Sequence, residues 1–154
     1  MKKFFTATLI LAVFFFTGCT GEAEKISVEN NSIEKVEANE MKIKISVNGK
    51  IFDATLENNP STQELIKKLP LDVEMTELNG NEKYFKFNEN FPSADKNIGE
   101  IHAGDLMLYS SSYLVLFYKN FPTSYKYTRL GKIENPEGLS EILGSDNVRV
   151  KFEK

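Results

Sequence analysis

The chain has 154 residues, 41% hydrophobic and 27% charged, an ordinary globular composition with room for one core. Its 19 basic and 22 acidic residues leave a formal charge of −3, which argues against nucleic acid, whose phosphates need a basic surface. One cysteine and one histidine exclude an internal disulfide framework, a Cys/His metal site and any centre that needs two imidazoles.

Residues 1–18 read as an export signal. Lys2 and Lys3 form a positive start, and residues 4–16 are apolar apart from two threonines. That stretch is too short for a spanning helix, which needs roughly 20 residues, but it suits the apolar part of a signal. The segment Phe16-Thr17-Gly18-Cys19 places small residues before the lone cysteine and resembles the lipobox of bacterial lipoproteins. The resemblance implies lipidation of Cys19 and a protein anchored to the cell membrane on its extracytoplasmic face. A plain signal cut nearby, leaving a free thiol, is the alternative. With residues 1–18 removed, 17 basic and 22 acidic residues give a charge of −5.

Residues 19–40 follow as a disordered acidic tether. Glu22, Glu24, Glu29, Glu34, Glu37 and Glu40 lie among Asn, Ser and Ala, while Ile26, Val28, Ile33 and Val36 keep no period. A partner-binding acidic tail is the other reading.

A folded domain is predicted over residues 41–154. Ile43, Ile45 and Val47 alternate with polar residues, Asn48-Gly49 signals a tight hairpin turn, and residues 51–56 return as a second strand. Pro60, Ser61 and Glu64 predict a helix over 61–69 with a Ser61–Glu64 capping box, stopped by Pro70. Leu71, Val73 and Met75 alternate as a third strand, and Asn79-Gly80 turns the chain into a fourth over 83–87. Residues 88–104 show no periodicity and read as a long loop. Residues 105–109 and 113–118 form a hairpin whose second arm, Leu114-Val115-Leu116-Phe117, is apolar throughout and thus buried on both faces. After a loop over 120–124, residues 125–133 make a seventh strand. Asn135, Pro136 and Gly144 predict a helix over 136–143, and Val148, Val150 and Phe152 an eighth strand.

The expected fold is therefore mainly β: a closed eight-stranded antiparallel barrel capped by two short α-helices. Closure removes the edge strands, and eight strands enclose an interior that side chains can fill.

The ordered blocks Leu78-Asn79-Gly80-Asn81-Glu82-Lys83-Tyr84, Ile101-His102-Ala103-Gly104-Asp105-Leu106-Met107-Leu108-Tyr109, Leu114-Val115-Leu116-Phe117-Tyr118 and Tyr125-Lys126-Tyr127-Thr128-Arg129-Leu130-Gly131-Lys132-Ile133 resemble the bacterial cyclophilin-like domain family. The resemblance runs from about Met41 to Glu153 and implies a cyclophilin barrel capped by two helices. True cyclophilins isomerise prolyl bonds, but the Phe-His-Arg-Val-Ile and Phe-Met-x-Gln-x-Gly-Asp stretches of the active enzymes are missing here. The expected function is a non-catalytic module that binds a peptide or small ligand, without cofactor or metal, as a monomer. A divergent, weak prolyl isomerase acting on exported proteins is the alternative.

Arg129 is one of two arginines against 17 lysines, which suggests a need for its planar fork. By period two it shares a strand face with Tyr125 and Tyr127, and the three form the expected ligand patch. Tyr109 and Phe117 belong to the same aromatic-rich third of the chain and are further cleft candidates. His102, where the long loop enters a strand, is a candidate proton carrier or a simple hydrogen-bonding group. Asp105 reads as turn chemistry.

Overall fold

The computed structural model describes residues 41–154; the signal, Cys19 and the acidic tether lie outside the described residues. Nine strands and two helices follow in the order β1 (Met41–Val47), β2 (Lys50–Leu56), α1 (Pro60–Lys67), β3 (Leu71–Leu78), β4 (Glu82–Lys86), β5 (Lys96–Ile101), β6 (Asp105–Tyr109), β7 (Tyr113–Phe117), β8 (Phe121–Ile133), α2 (Leu139–Leu143) and β9 (Val148–Glu153). The sheet order is β2-β1-β9-β3-β4-β7-β6-β8, and the β2–β8 pairing closes it into the expected eight-stranded antiparallel barrel.

Alternation fills the interior. Ile43, Ile45 and Val47 of β1, Leu106 and Leu108 of β6, Leu114 and Leu116 of β7, and Val148, Val150 and Phe152 of β9 form one buried cluster. The helices lie at opposite ends of the barrel. Gln63 of α1 reaches the sulfur of Met41 at the start of β1, whereas Asn48 at the other end donates to the Ile142 carbonyl of α2. Leu65 of α1 and Leu139 and Leu143 of α2 are buried in the interior cluster.

Four expectations need correcting. The cap of α1 is Asn59, whose Oδ1 accepts the Thr62 amide at 2.9 Å, with Pro60 as the first helical residue. Ser61 is instead buried and donates to the Pro92 carbonyl. The second helix is only Leu139–Leu143, entered through Gly138 at φ 75°, because Asn135 spends its side chain on the Glu137 amide two residues on.

The supposed loop over 88–104 contains β5, and the supposed loop over 120–124 is largely the start of the 13-residue β8. These two segments pair with each other. Ile98 and Ile101 are the only large apolar residues of β5, Gly99 sits at a bulge, and Pro122 signals a turn, so neither segment shows strand periodicity. The proline is tolerated because the ribbon is only two strands wide there. β5 is thus a ninth strand outside the closed ring. With the first half of β8 it lays Ile98, Ile101, Phe121 and Tyr127 over Met107, Val115 and Phe117, the outward residues of β6 and β7, forming a second buried cluster.

Candidate functional site

The ribbon turns part of the outer barrel wall into two clefts that share Tyr127. The first, about 360 Å³, is lined by Tyr84, Tyr109, Tyr113, Tyr125 and Tyr127, with Leu78, Asn79, Val115 and Glu82. Five of the chain's six tyrosines meet there. Alternation puts them in place. Glu82 and Tyr84 of β4 face outward between Lys83 and Phe85, and Tyr109 and Tyr113 stand opposite each other across the β6–β7 hairpin.

Tyr109 is the hub of the rings. Its centroid lies 5.4 Å from Tyr127, 6.1 Å from Tyr125 and 6.2 Å from Tyr113, and Tyr113 lies 5.9 Å from Tyr84. The rings are tilted or edge-on, the favoured geometry for aromatic quadrupoles, and they present a cupped wall. Four large apolar side chains are exposed among the described residues, and three of them, Leu78, Tyr109 and Tyr125, line this cleft. An apolar surface gathered in a hollow marks a place for a ligand.

Glu82 is the one charged group in that wall. Burial, helped by the charge of Glu77, pushes its pKa up to about 7. Among the described residues its carboxyl has no hydrogen bond or ion pair. Tyr127 is pushed up to about 12, mainly by burial and then by Glu82, so its phenol stays neutral.

The second cleft encloses about 480 Å³. It lies between the start of α1 (Asn59, Pro60, Ser61), residues 92–98 and the stretch Tyr127-Thr128-Arg129. Thr128 fixes its wall by donating to Asp95 at 2.7 Å and accepting from the Ala94 amide at 2.8 Å. Arg129 lines it, with Nη1 3.5 Å from Oδ1 of the buried Asp105. The other oxygen of Asp105 accepts the His102 amide at 3.0 Å, the turn chemistry expected of it.

The proposed residues are therefore distributed. Tyr109, Tyr125 and Tyr127 come together in the tyrosine cleft. Phe117 lies fully buried against Tyr127 and Phe121 and shapes the second cluster without reaching the cleft wall. Arg129 does not share a patch with Tyr125, because β8 pairs with β5 through Tyr127 and with β6 from Thr128 on, so the two residues lie on either side of Tyr127, which lines both clefts. His102 is exposed and lines neither cleft. Glu82 and Tyr84 were missed by sequence reasoning. Their signal was available: after the Asn79-Gly80 turn they alternate against Phe85 and Phe87, which places both on the outer face.

The profile of the cyclophilin-like family matches residues 45–153. The chain belongs to the cyclophilin-like family. The cyclophilin-like barrel is also similar to the solution structure of a hypothetical protein from Archaeoglobus fulgidus, with a TM-score of 0.53 at 19% identity. That similarity spans 74% of this chain and 94% of the other, and it shows the fold. No curated protein matches the chain. Chemically, the cyclophilin-like tyrosine cleft offers hydroxyls, aromatic faces and one carboxyl. No cluster of metal-binding side chains exists among the described residues.

Proposed function

We propose that this cyclophilin-like protein is a lipid-anchored, extracytoplasmic binding module that holds a small ligand or a peptide side chain in the tyrosine cleft without converting it. The observation that carries the reading is the cleft itself: five tyrosines, an open apolar rim and no nucleophile–base pair. Prolyl isomerisation must lower a barrier of about 18–20 kcal/mol by weakening amide resonance, which calls for a guanidinium beside an apolar ring pocket. Arg129 lines the second cleft, where its guanidinium is engaged with the buried Asp105, which supports binding over catalysis.

A neutral aromatic probe tests this. Benzyl alcohol titrated into the full chain in non-ionic detergent is expected to shift the ring resonances of Tyr109 and Tyr127, and Tyr109→Ala is expected to abolish the effect. A proline peptide should isomerise at its uncatalysed rate in the same sample. Absence of shifts at the cleft tyrosines, both with this probe and with its cationic counterpart benzyltrimethylammonium, ends the binding reading, and fast isomerisation that is lost in Arg129→Ala reverses it in favour of an enzyme.

The anchor rests on the Phe16-Thr17-Gly18-Cys19 segment. Two or more acyl chains give stable anchoring, at about 0.8 kcal/mol for each buried methylene. The wild-type protein is expected to enter the detergent phase on phase separation, and Cys19→Ala to remain in water. A wild type found in the aqueous phase contradicts the proposed location.

A further inference from the structure

The binding reading leaves the class of ligand open, and Glu82 narrows it. No lysine, arginine or histidine lines the tyrosine cleft, so its only formal charge is this half-buried carboxyl, which has no partner among the described residues. An anion entering the cleft meets repulsion from Glu82, and the nearby Lys86 ammonium lies outside the lining, against the Tyr113 ring. A neutral occupant strips water from a carboxylate and returns no counter-charge. A bare metal ion finds one carboxylate where several oxygen ligands are needed.

The rings point the same way. Tyrosine faces carry negative potential and attract ammonium groups. The chain already shows this at the cleft itself, where the Lys86 ammonium lies 5.3 Å from the centroid of the Tyr113 ring. A volume of about 360 Å³ suits a small organic group.

We infer that the tyrosine cleft is a site for a small organic cation, an ammonium whose charge is met by Glu82 and whose carbon body lies against Tyr109, Tyr113 and Tyr127. The inference rests on the binding reading above and gives it a ligand class. Glu82 is then a specificity residue.

Three probes that share one ring separate the possibilities: benzyltrimethylammonium, benzyl alcohol and benzoate, each titrated into the full chain in non-ionic detergent at pH 8.5. The cation is expected to bind about tenfold more tightly than the alcohol, and benzoate not to bind. Glu82→Gln keeps the shape and removes a desolvated charge, so the fold is retained, which the dispersion of the amide spectrum checks. In that variant the preference for the cation should vanish, the cation weakening and the alcohol tightening as the carboxylate it would desolvate is gone.

The wild type supplies a second readout that needs no variant. Benzyltrimethylammonium does not titrate, so weaker binding at pH 5.5 than at pH 8.5 belongs to the protein. The titratable groups facing Glu82 are Glu77 of β3, held low by Lys83 and Tyr118, Tyr118 itself, which is pushed far up, and the tyrosines of β4, β6, β7 and β8, of which Tyr127 is also pushed up. The pH effect should vanish in Glu82→Gln, which excludes the exposed His102 as its source. Equal binding of cation and alcohol overturns the cation inference and leaves the binding cleft standing. No shift with any probe overturns both.

Discussion

Replacing Lys83 with methionine is expected to destabilise the fold by about 3–5 kcal/mol, the usual result of removing one partner from a buried ion pair. Lys83 is fully buried, because it alternates with Tyr84 and points into the α2 end of the barrel. Its ammonium has three acceptors: the Glu77 carboxylate, the Gly144 carbonyl at 2.9 Å and the Asp146 carbonyl at 2.7 Å. All three N–H groups are thus satisfied, and the lysine ties β3 and β4 to the end of α2. Methionine keeps most of the stem but leaves two carbonyls and a carboxylate with fewer partners. Burial alone would raise the pKa of Glu77, yet hydrogen bonds from Lys83, Tyr118 and Gly80 outweigh it and hold the pKa below its ordinary value. Its contribution is therefore present above the unfolded value of about 4.5 and is lost as pH falls through the lower folded value. Urea unfolding at pH 7 and at pH 3 checks both parts, with the gap between wild type and Lys83→Met narrowing in acid. Adding Glu77→Gln to Lys83→Met should recover part of the loss, since no unpaired charge then remains. A single variant within about 1 kcal/mol of wild type rules the network out as a source of stability.

Gly131→Ala is expected to be of similar size, at about 3 kcal/mol or somewhat more, the upper range for overpacking a core. A Cβ built at Gly131 falls 2.3 Å from the Thr55 carbonyl oxygen and 2.9 Å from the Leu56 Cα, both backbone atoms of β2. Backbone in a closed ring cannot swing aside as a flexible side chain can. Gly131 pairs with Leu56 on one side and Leu106 on the other, at the seam where β8 joins β2 and closes the barrel. The glycine is needed for close approach. Thermal unfolding of the variant measures the loss. Substitution without loss would show that the β2–β8 seam is slack.

The barrel was legible because β1 to β3 and β9 alternate against solvent, β7 is a continuous apolar run buried on both faces, and Asn48-Gly49 and Asn79-Gly80 mark turns. The β5–β8 ribbon was not. Each of its strands is stabilised by pairing with the other and by two apolar side chains laid on the barrel wall, and neither feature leaves a period in the sequence. The helix caps were misplaced for a local reason. Asn59, Ser61 and Asn135 all have capping chemistry, and which oxygen meets which amide is settled by the backbone around it.

The site divides along the same line. Local chemistry in the sequence determined the barrel, the aromatic crowding of residues 109–127 and the lone cysteine beside an apolar leader, because each depends on neighbours in the chain. Only the tertiary structure decided that Tyr84 and Glu82 join Tyr109, Tyr125 and Tyr127, and that Arg129 lines the other cleft. Period two on a strand fixes which side a residue faces, but the change of partner along β8, from β5 in the ribbon to β6 in the barrel, decides what that side looks onto. The charge state of Glu82 is decided there as well. The Asn79-Gly80 hairpin already brings Glu77 near it, but the larger cause of the upward shift, the loss of water, comes from strands far along the chain and is not written in the neighbouring residues.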